Sequence, residues 1–462
     1  MADVFEELRA REFGRLDAAG HAYLDYTGAG LYAESQVARH MELLRHEVLG
    51  NPHTASPTSL PATRHVQDAR ERILEFFEAD PAEYEVVFTG NASGALKIVG
   101  ESFPFASGSR LLMTADNHNS VNGIRSFAAA RGAAVEYMPL DGELRAGPLQ
   151  HYLESWGPPA APSLFAFPGQ SNFSGVKHPL EWVALARAAG YRVLLDAAAF
   201  APTNRLRLSA VKPDFVSISF YKLFGYPTGV GALLARGEAL AELRRPWFAG
   251  GTVRFVSAQN REHLLKPGSE AFEDGTLDFL SIAAVPFGLD LLRELGMEAI
   301  GAHVLALAAR LLDGLASLRH SSGAPLVRIY GPADTRARGG TVAFNALDPD
   351  GAIVPYEHVE AIAAERRISV RGGCFCNPGA AEFAFGYNAQ ESYSCFHTMG
   401  PADFTLQQFS NCMQGMPVGA LRASVGLASN ESDVERLLAT LATLRDRPAP
   451  PRAQTVPEVV PG

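Results

Sequence analysis

Short apolar runs, separated by helical patterns, fill the chain between residues 84 and 235 and restrict its possible folds more than any other feature. Several runs are apolar at consecutive positions, as in strands covered by helices on both faces. The strand candidates are residues 84–89, 110–114, 134–138, 163–167, 192–196, 214–219 and 229–235, and the helical patterns between them include 93–100, 120–130 and 180–189. The sequence therefore predicts an α/β fold whose large domain is built on a mostly parallel, seven-stranded sheet.

The pattern changes at about residue 297, where longer helices alternate with short strands. The helical patterns there are 298–318, 356–367 and 432–445, and the strand candidates are 327–330, 340–345 and 419–424. We predict a large domain over residues 20–296, with the N-terminal segment packed on a smaller α+β domain over residues 297–446. The Pro-rich residues 447–462 are predicted to be disordered.

The composition argues against several kinds of partner. Apolar residues make up 47% of the 462 residues and charged residues 19%, a balance typical of globular rather than disordered proteins. The net charge of −10 gives no reason to expect nucleic acid or an anionic membrane as a partner. We identify no apolar run long enough to span a bilayer, and we do not expect the acidic, amphipathic start of the chain to be a signal peptide.

The four cysteines are Cys374, Cys376, Cys395 and Cys412, too few for a disulfide scaffold in a chain of this length. We therefore expect a reducing, cytoplasmic location. No second pair of cysteines or histidines follows Cys374 and Cys376 at the spacing of metal ligands, so we predict no metal site.

Lys222 lies at the end of a predicted buried strand, in the segment Asp214-Phe-Val-Ser-Ile-Ser-Phe-Tyr-Lys222-Leu-Phe-Gly225. An amine at the mouth of an apolar sheet is costly to desolvate unless it has a use. One use is a Schiff base with pyridoxal phosphate, because desolvation lowers the amine pKa and frees its lone pair. The alternative is a lysine that merely reaches past the strand end to water.

Asp196 ends another predicted strand, Gly190-Tyr-Arg-Val-Leu-Leu-Asp196. A carboxylate there can keep the pyridine nitrogen of the cofactor protonated, so that the ring accepts electrons. Neighbouring parallel strands direct their carboxyl ends to one crevice, where Asp196 and Lys222 would meet. The alternative for Asp196 is a cap on a following helix. Both residues in this order favour a pyridoxal phosphate site.

The segment Thr89-Gly-Asn-Ala-Ser93-Gly94 lies between a predicted strand and a helix, where small residues let backbone N–H groups face an anion. We predict that it holds the cofactor phosphate and that Ser219 adds a hydroxyl. His118 follows a strand and would stack on the pyridine ring, unless it is an ordinary surface histidine. A second turn, Phe272-Glu-Asp-Gly275-Thr276, ends in a hydroxyl.

The segment Arg371-Gly-Gly-Cys374-Phe-Cys376-Asn-Pro-Gly379 places two thiols in a Gly-rich loop, which is free to move them toward an active site. Arg371 favours the thiolate, which is the nucleophilic form of cysteine. A disulfide between Cys374 and Cys376 would be strained. The alternative is that both are ordinary buried cysteines.

These segments resemble the class V aminotransferase family of fold-type I pyridoxal phosphate enzymes, in particular the cysteine desulfurases and the N-terminal domain of molybdenum cofactor sulfurases. The resemblance covers about residues 20–445. It is carried by Tyr23-Leu-Asp-Tyr-Thr-Gly-Ala-Gly30, Gly50-Asn-Pro-His53, Asn117-His-Asn-Ser-Val121, Gln170-Ser-Asn-Phe-Ser-Gly175, Asp196-Ala-Ala-Ala-Phe200, Lys222-Leu-Phe-Gly225, Gly373-Cys-Phe-Cys-Asn-Pro-Gly379 and Arg422-Ala-Ser-Val-Gly426.

The resemblance implies an enzyme that removes sulfur from L-cysteine, or a related sulfur amino acid, and leaves alanine and an enzyme persulfide. Lys222 would bind pyridoxal 5'-phosphate and then transfer protons. Asp196 would pair with the pyridinium, and His118 would act beside the ring. Cys376 would attack the substrate sulfur and pass it to a protein or small-molecule acceptor.

The resemblance also implies the binding residues. Asn91, Ala92 and Ser219 would hold the phosphate. Thr276 would reach the phosphate of the neighbouring subunit, so a homodimer is expected. The substrate-binding residues would be those near the carboxylate of the substrate, Asn172, Arg371 and Arg422.

Several positions depart from the family pattern. Ala199 stands where many desulfurases have a glutamine, Tyr221 where a histidine usually precedes the lysine, and Ala381 where a third cysteine often follows. His118 is one position away from the usual stacking histidine, and Asn117 occupies that position. We expect that no domain that would bind a molybdenum cofactor follows residue 462, and therefore that this chain need not serve that cofactor.

Two other hypotheses stay open. A C–S lyase, aminotransferase or epimerase of the same fold would not need Cys376. A non-catalytic protein that keeps the fold would not need Lys222, Asp196 or Arg422, and their presence argues against it.

Overall fold

The computed structural model describes residues 2–52, 54–400 and 404–450. The strands, labelled in chain order, are β1 (Ala22–Tyr23), β2 (Tyr84–Thr89), β3 (Arg110–Thr114), β4 (Ala134–Met138), β5 (Ser163–Pro168), β6 (Tyr191–Asp196), β7 (Phe215–Ser219), β8 (Gly231–Arg236), β9 (Val253–Ser257), β10 (Glu262–Leu265), β11 (Val327–Tyr330), β12 (Thr341–Ala346), β13 (Ile368–Ser369), β14 (Arg371–Gly373) and β15 (Ala420–Ser424).

The helices are α1 (Ala2–Glu12), α2 (Arg15–Ala18), α3 (Glu34–His46), α4 (Ser59–Phe76), α5 (Ala92–Ser102), α6 (Asn119–Asn122), α7 (Ile124–Ala130), α8 (Leu149–Trp156), α9 (Trp182–Ala188), α10 (Leu208–Val211), α11 (Phe220–Phe224), α12 (Gly237–Glu242), α13 (Phe279–Ile282), α14 (Val285–Leu295), α15 (Met297–Ser317), α16 (Tyr356–Glu365), α17 (Pro378–Phe385), α18 (Ala389–Thr398), α19 (Leu406–Cys412) and α20 (Glu431–Ala442). A 3₁₀ helix lies at Gly268–Phe272.

A seven-stranded sheet in the order β2-β8-β7-β6-β5-β3-β4 forms the centre of the large domain. β8 runs antiparallel to β2 and β7, and the other adjacent pairs are parallel, so the predicted mostly parallel sheet is confirmed. The seven predicted strands end within two residues of the observed ones. The helix predicted at 120–130 is instead two helices, α6 and α7, which meet at Gly123.

Burial on both faces explains the continuous apolar strands. β5 and β7 are buried at every position. Successive residues point to opposite faces: Leu164 belongs to one apolar cluster, with Leu194, and Phe165 belongs to the other, with Val193. Because these faces are mostly apolar, the crevice at the carboxyl ends of the strands is where polar side chains can collect.

A four-stranded antiparallel sheet, in the order β11-β12-β15-β14, forms the centre of the C-terminal region. The N-terminal segment packs on this region, since β1 pairs in parallel with β13. Arg9 in α1 donates a hydrogen bond of 2.6 Å to the carboxylate of Asp433 in α20, and both side chains are buried. Of residues 447–462, which the sequence predicts to be disordered, those after 450 lie outside the described residues.

α15 is the one helix within the described ranges that is long and apolar enough to cross a membrane by length and composition alone. This finding corrects the expectation that the chain has no apolar segment long enough to span a bilayer. Its side chains Ile300, Val304, Leu311 and Leu315 belong to the main apolar cluster, as those of a core helix do. Length and composition alone are therefore weak grounds for a membrane span here.

Cys395 in α18 and Cys412 in α19 form a disulfide, with Cα atoms 5.8 Å apart, whereas Cys374 and Cys376 are free thiols. The cysteine count did not predict this bond. A pairing depends on which residues the fold brings together, and 17 positions separate these two in the sequence.

We expect Arg9→Ala to lower the free energy of unfolding by about 3–5 kcal/mol, because it leaves the buried carboxylate of Asp433 without its cation. Arg336→Ala is the matched control, since both members of its ion pair with Asp334 are exposed (82% and 47%), and it should cost less than about 0.5 kcal/mol. Urea denaturation of both variants measures the difference. Equal losses would mean that the Arg9 pair does not hold the N-terminal helix to the C-terminal region.

Candidate active site

A cavity of about 590 Å³, open to solvent, lies at the carboxyl ends of the central strands of the large sheet. β5, β6 and the segment after β7 supply its floor, and the start of α5 supplies one wall. The predicted site residues that line it are Asn91, Ala92, His118, Asn172, Asp196, Ser219 and Lys222. The fold thus brings together residues from five separate motifs, as adjacent strands of one parallel sheet allow.

Lys222 lies in the short helix α11, three residues after β7 ends at Ser219. Its amine makes no hydrogen bond or ion pair with any residue that the structure describes, although it is partly accessible from the cavity. The surrounding protein lowers the pKa of Lys222 through desolvation, and Asp196 acts in the opposite direction. A lowered pKa leaves more of the amine neutral and nucleophilic.

Asp196 is the last residue of β6 and is 8% exposed. Its Oδ1 accepts hydrogen bonds from the hydroxyl of Ser217 (2.9 Å) and from the backbone N–H of Ala198 (3.0 Å). Within the described residues its Oδ2 takes no hydrogen bond, so one oxygen stays available on the cavity side. A turn follows Asp196, and no helix begins there, so the helix-cap alternative is wrong.

His118 lines the cavity, and Asn117 does not. The side-chain amide of Asn117 is buried and donates to Thr114 and to the carbonyl of Ala166, which ties it to the sheet. Burial lowers the pKa of His118, and the charge of Lys222 lowers it further. His118 is therefore the imidazole of this site, despite its shift of one position from the family pattern.

The start of α5 forms the predicted anion cradle. Asn91 caps the helix by accepting from the N–H of Gly94 (3.0 Å), and the hydroxyl of Ser219 accepts from the N–H of Ala92 (2.9 Å). The N–H of Ser93 has no hydrogen-bond partner among the described residues and so can face an anion. Gly231 makes this packing possible, since a Cβ there would lie 2.5 Å from the Cα of Asn91.

Thr276 does not line the cavity and is exposed. Its hydroxyl accepts from the side-chain amide of Asn51, 3.3 Å away, in the segment that carries the Gly50-Asn-Pro-His53 motif. His53 lies outside the described residues. The expected contact between Thr276 and the phosphate of a second subunit stays a prediction.

The thiol loop, residues 374–377, is anchored beside the cavity. Asn172 donates to the carbonyl of Phe375 (2.7 Å), and the backbone N–H of Asn119 donates to the carbonyl of Cys376 (2.7 Å). Asn377 donates to the side-chain oxygen of Asn172 (2.8 Å). The Asn172 amide therefore makes one bond to this loop through its nitrogen and one through its oxygen, and its role in binding a substrate carboxylate stays a prediction.

The two loop thiols differ in exposure. Cys376 is exposed, and the negative charge of its thiolate would favour the positively charged forms of both Lys222 and Arg422. Cys374 is partly buried, and burial raises its pKa. Phe375 and Cys376 both have positive φ values, 58° and 54°, which residues other than glycine seldom adopt. Of the two thiols, Cys376 is the one whose charge reaches the cavity.

Arg422 lies on β15 behind the cavity wall and is only 2% exposed. Its Nη1 donates to the carbonyl of Asn172 (3.0 Å) and its Nη2 to the carboxylate of Asp25 (2.9 Å). The ring of Phe375 covers the guanidinium at 4.7 Å. Burial lowers the pKa of Arg422, and Asp25 opposes that shift.

Neither Arg371 nor Arg422 lines the cavity, so the predicted contact of each with the substrate has no direct support from its position. The side chain of Arg371 is 51% exposed and forms an ion pair with Asp25, with Nη2 2.6 Å from Oδ2. Asp25 was not predicted as a site residue. In the sequence, Asp25 was marked only by its place within the Tyr23–Gly30 motif. Its pairing with Arg371 and Arg422 could not be predicted, because the three residues lie in separate segments that meet only in the fold.

Other cavity residues were also missed. Ser120, Gln170 and Tyr221 line it, and the Ser120 hydroxyl lies 2.6 Å from the hydroxyl of Ser93. A second cavity of about 550 Å³ adjoins the first and shares Gln170, Ala199 and Lys222 with it. The two meet at Ala199, whose short side chain leaves that wall thin.

The residues present fit pyridoxal phosphate. Among the residues that the structure describes, they offer an unpaired amine on Lys222, a free carboxylate oxygen on Asp196, and an unpaired backbone N–H at the start of α5. These groups match an aldehyde, a pyridinium nitrogen and a phosphate, in that order. Over residues 2–52, 54–400 and 404–450, no cluster of three His, Cys, Asp or Glu side chains is suited to a metal ion.

Comparison with known proteins agrees with this arrangement. The family described as aminotransferase class-V matches residues 22–437. The chain is 38% identical to the molybdenum cofactor sulfurase of Bos taurus over 99% of its own length and 54% of that protein. The chain thus spans about half the length of this relative.

Solved structures share the fold. The apo cysteine desulfurase of Thermococcus onnurineus NA1 superposes with a TM-score of 0.77 at 24% identity, covering 95% of this chain and 97% of that one. The cystine C–S lyase C-DES, in complex with its product cysteine persulfide, gives a TM-score of 0.70 at 21% identity, covering 93% and 99%. The cofactor is pyridoxal phosphate, and the site fits that cofactor. Because the family match covers most of this chain, the chain belongs to the class V aminotransferase family.

Proposed function

We propose that this chain is a pyridoxal phosphate-dependent cysteine desulfurase, which takes sulfur from L-cysteine and holds it as a persulfide on Cys376. The observation that carries the proposal is an exposed thiol on a loop anchored to the wall of the Lys222 cavity. An aminotransferase needs no such thiol. The similarity to a molybdenum cofactor sulfurase and to the fold of cysteine desulfurases supports the same chemistry.

We assign the following roles to the residues of the chain. Arg422 binds the substrate carboxylate, and Lys222 takes and returns protons at the substrate carbons. When bound, the cofactor supplies an electron sink for a substrate carbanion. The thiolate of Cys376 attacks the substrate sulfur: an S–S bond forms, the C–S bond breaks, and the carbon takes a proton. Cysteine and the Cys376 thiol thus become alanine and a Cys376 persulfide, without an external oxidant or reductant.

A C–S lyase is the second candidate. A protein of the same fold, the cystine C–S lyase C-DES, has this activity, which makes a lyase the alternative to test. A lyase would release pyruvate and leave Cys376 unmodified.

One assay separates these candidates. The holoenzyme is incubated with L-cysteine and, separately, with L-cystine, and alanine, pyruvate and protein-bound persulfide are measured. Alanine and persulfide in equal amounts in the first turnover support the desulfurase. Pyruvate without persulfide supports the lyase, and the absence of all three would mean that neither activity is present.

Lys222→Ala should abolish the visible absorbance of the bound cofactor and reduce turnover by several orders of magnitude, because it removes the covalent amine. Lys177→Ala is the matched control, since Lys177 is also partly buried but donates to Asn204 outside the cavity. Absorbance spectra and alanine release measure both variants. Normal absorbance and turnover in the Lys222 variant would show that the site is misassigned.

Cys376→Ser should keep the cofactor absorbance and its change on adding L-cysteine, because Cys376 does not line the cavity. It should stop persulfide and alanine formation, since a hydroxyl at neutral pH is a far poorer nucleophile than a thiolate. Cys374→Ser should have a milder effect, because Cys374 is partly buried and burial raises its pKa. Alanine release and alkylation-trapped persulfide test each variant, and full activity in the double variant would contradict the desulfurase.

A homodimer is part of the proposal. The hairpin of β9 and β10 and the segment before it expose Trp247, Phe255, Val256 and Leu264, each at least 50% exposed, beside the loop that carries Thr276. A second copy would bury these side chains and bring Thr276 toward its phosphate. Sedimentation equilibrium tests the dimer, and a monomer at micromolar concentration would contradict it.

We also propose a cytoplasmic location and a protein or small-molecule sulfur acceptor. Cys374 and Cys376 must stay reduced for thiolate attack, which a reducing compartment ensures, whereas the Cys395–Cys412 disulfide is of a kind that is rare in the cytosol. The exposure of Cys376 leaves its persulfide open to an acceptor. Cell fractionation tests the location, and recovery of the enzyme only from an oxidising compartment would contradict it.

A further inference from the structure

Two arginines stand directly opposite each other in the small sheet. β14 and β15 are antiparallel, and their register pairs Arg371 with Arg422. Like charges at directly opposed positions repel each other. Arg422 is also buried, so its charge is poorly solvated there. This pair therefore needs a nearby anion.

Asp25 supplies that anion from a third segment. Arg371 grips it through two nitrogens, with Nε 3.0 Å and Nη2 2.6 Å from Oδ2. Arg422 reaches the same carboxylate through Nη2 alone. The backbone of Asp25 is held beside Arg422, because it forms a parallel bridge with Ser424 at the end of β15.

Space around this carboxylate is limited. A Cβ on Gly28 would lie 2.5 Å from Oδ2 of Asp25 and 2.8 Å from Nη2 of Arg371. Any side chain at Gly28 would therefore separate the ion pair or displace it. Glycine at position 28 thus leaves room for the carboxylate of Asp25 to be shared by the two guanidinium groups.

The sharing leaves Arg422 with unused hydrogen-bonding capacity. Its Nε is buried and has no hydrogen-bond partner in the described part of the chain. The two guanidinium groups and the carboxylate of Asp25 carry one net positive charge, which a substrate carboxylate would balance. Glu360 also lies beside Arg371, and burial raises its pKa, which favours its neutral form. If Arg371 were absent, Asp25 alone would neutralise Arg422, and the site would have no net charge to attract that carboxylate.

We propose that Arg371 and Asp25 are positioning residues for Arg422: Asp25 orients its guanidinium, and Arg371 keeps Asp25 from neutralising it. This inference rests on the proposed role of Arg422 in holding the substrate carboxylate. Arg371 thus influences the substrate without touching it.

The test uses four holoenzymes: wild type, Arg371→Lys, Arg371→Gln, and Arg371→Gln combined with Asp25→Asn. Arg371→Gln should raise KM for L-cysteine about tenfold with kcat within about twofold, because only carboxylate binding is weakened. Arg371→Lys keeps the charge and should stay within about threefold of wild type in KM. The double variant restores one net positive charge and should recover part of the lost KM.

Calorimetry supplies a readout that does not depend on turnover. The ratio of Kd values for L-alaninamide and L-alanine isolates the carboxylate contribution, and it should fall about tenfold in Arg371→Gln. If wild type releases no alanine from cysteine, the proposed function fails, but this ratio still tests the positioning role. An unchanged ratio in Arg371→Gln, equal weakening of both ligands, or a double variant no better than the single one would overturn the inference.

Discussion

The large sheet is covered by apolar side chains on both faces, and this constraint determines where chemistry can occur. β5 and β7 bury every residue, and a hydroxyl within β7, that of Ser217, is satisfied by a hydrogen bond inside the protein. The charged groups of the cavity lie at or after the strand ends, where Asp196 and Lys222 are found. The protein around the Lys222 amine lowers its pKa, and the open cavity leaves it reachable.

The thiol loop depends on that same edge of the sheet. Its carbonyl groups accept hydrogen bonds from Asn172, which follows β5, and from the start of α6, which follows β3. Phe375 is buried against Phe173 and covers Arg422, and its neighbour Cys376 is left exposed. The loop therefore combines a fixed aromatic anchor with a free thiol, so the reactive group is close to the cavity without being part of its lining.

Much of the large domain was predictable from the sequence, because its strands are continuous apolar runs with few alternative structures. The catalytic pair was predictable for a related reason, since Asp196 and Lys222 each follow such a run. Asp25 and the Cys395–Cys412 disulfide were not predictable in this way. Each depends on segments that meet only in the folded chain, and neither has a local pattern that specifies its partner. Arg371 was identified as a candidate, but its partner Asp25 was not. The sequence therefore predicted a contact between Arg371 and the substrate, whereas the structure shows an ion pair with Asp25.

The N-terminal segment contacts both Arg422 and the backbone beside Lys222. Asp25 holds Arg422, while a few residues later the N–H of Gly30 donates to the carbonyl of Tyr221, beside Lys222 (2.9 Å). A Cβ on Gly30 would lie 2.9 Å from the backbone nitrogen of Gly225, so this approach requires glycine. Residues 25–30 thus contact both Arg422 and the backbone on either side of Lys222, so they tie the position of one side of the site to the other.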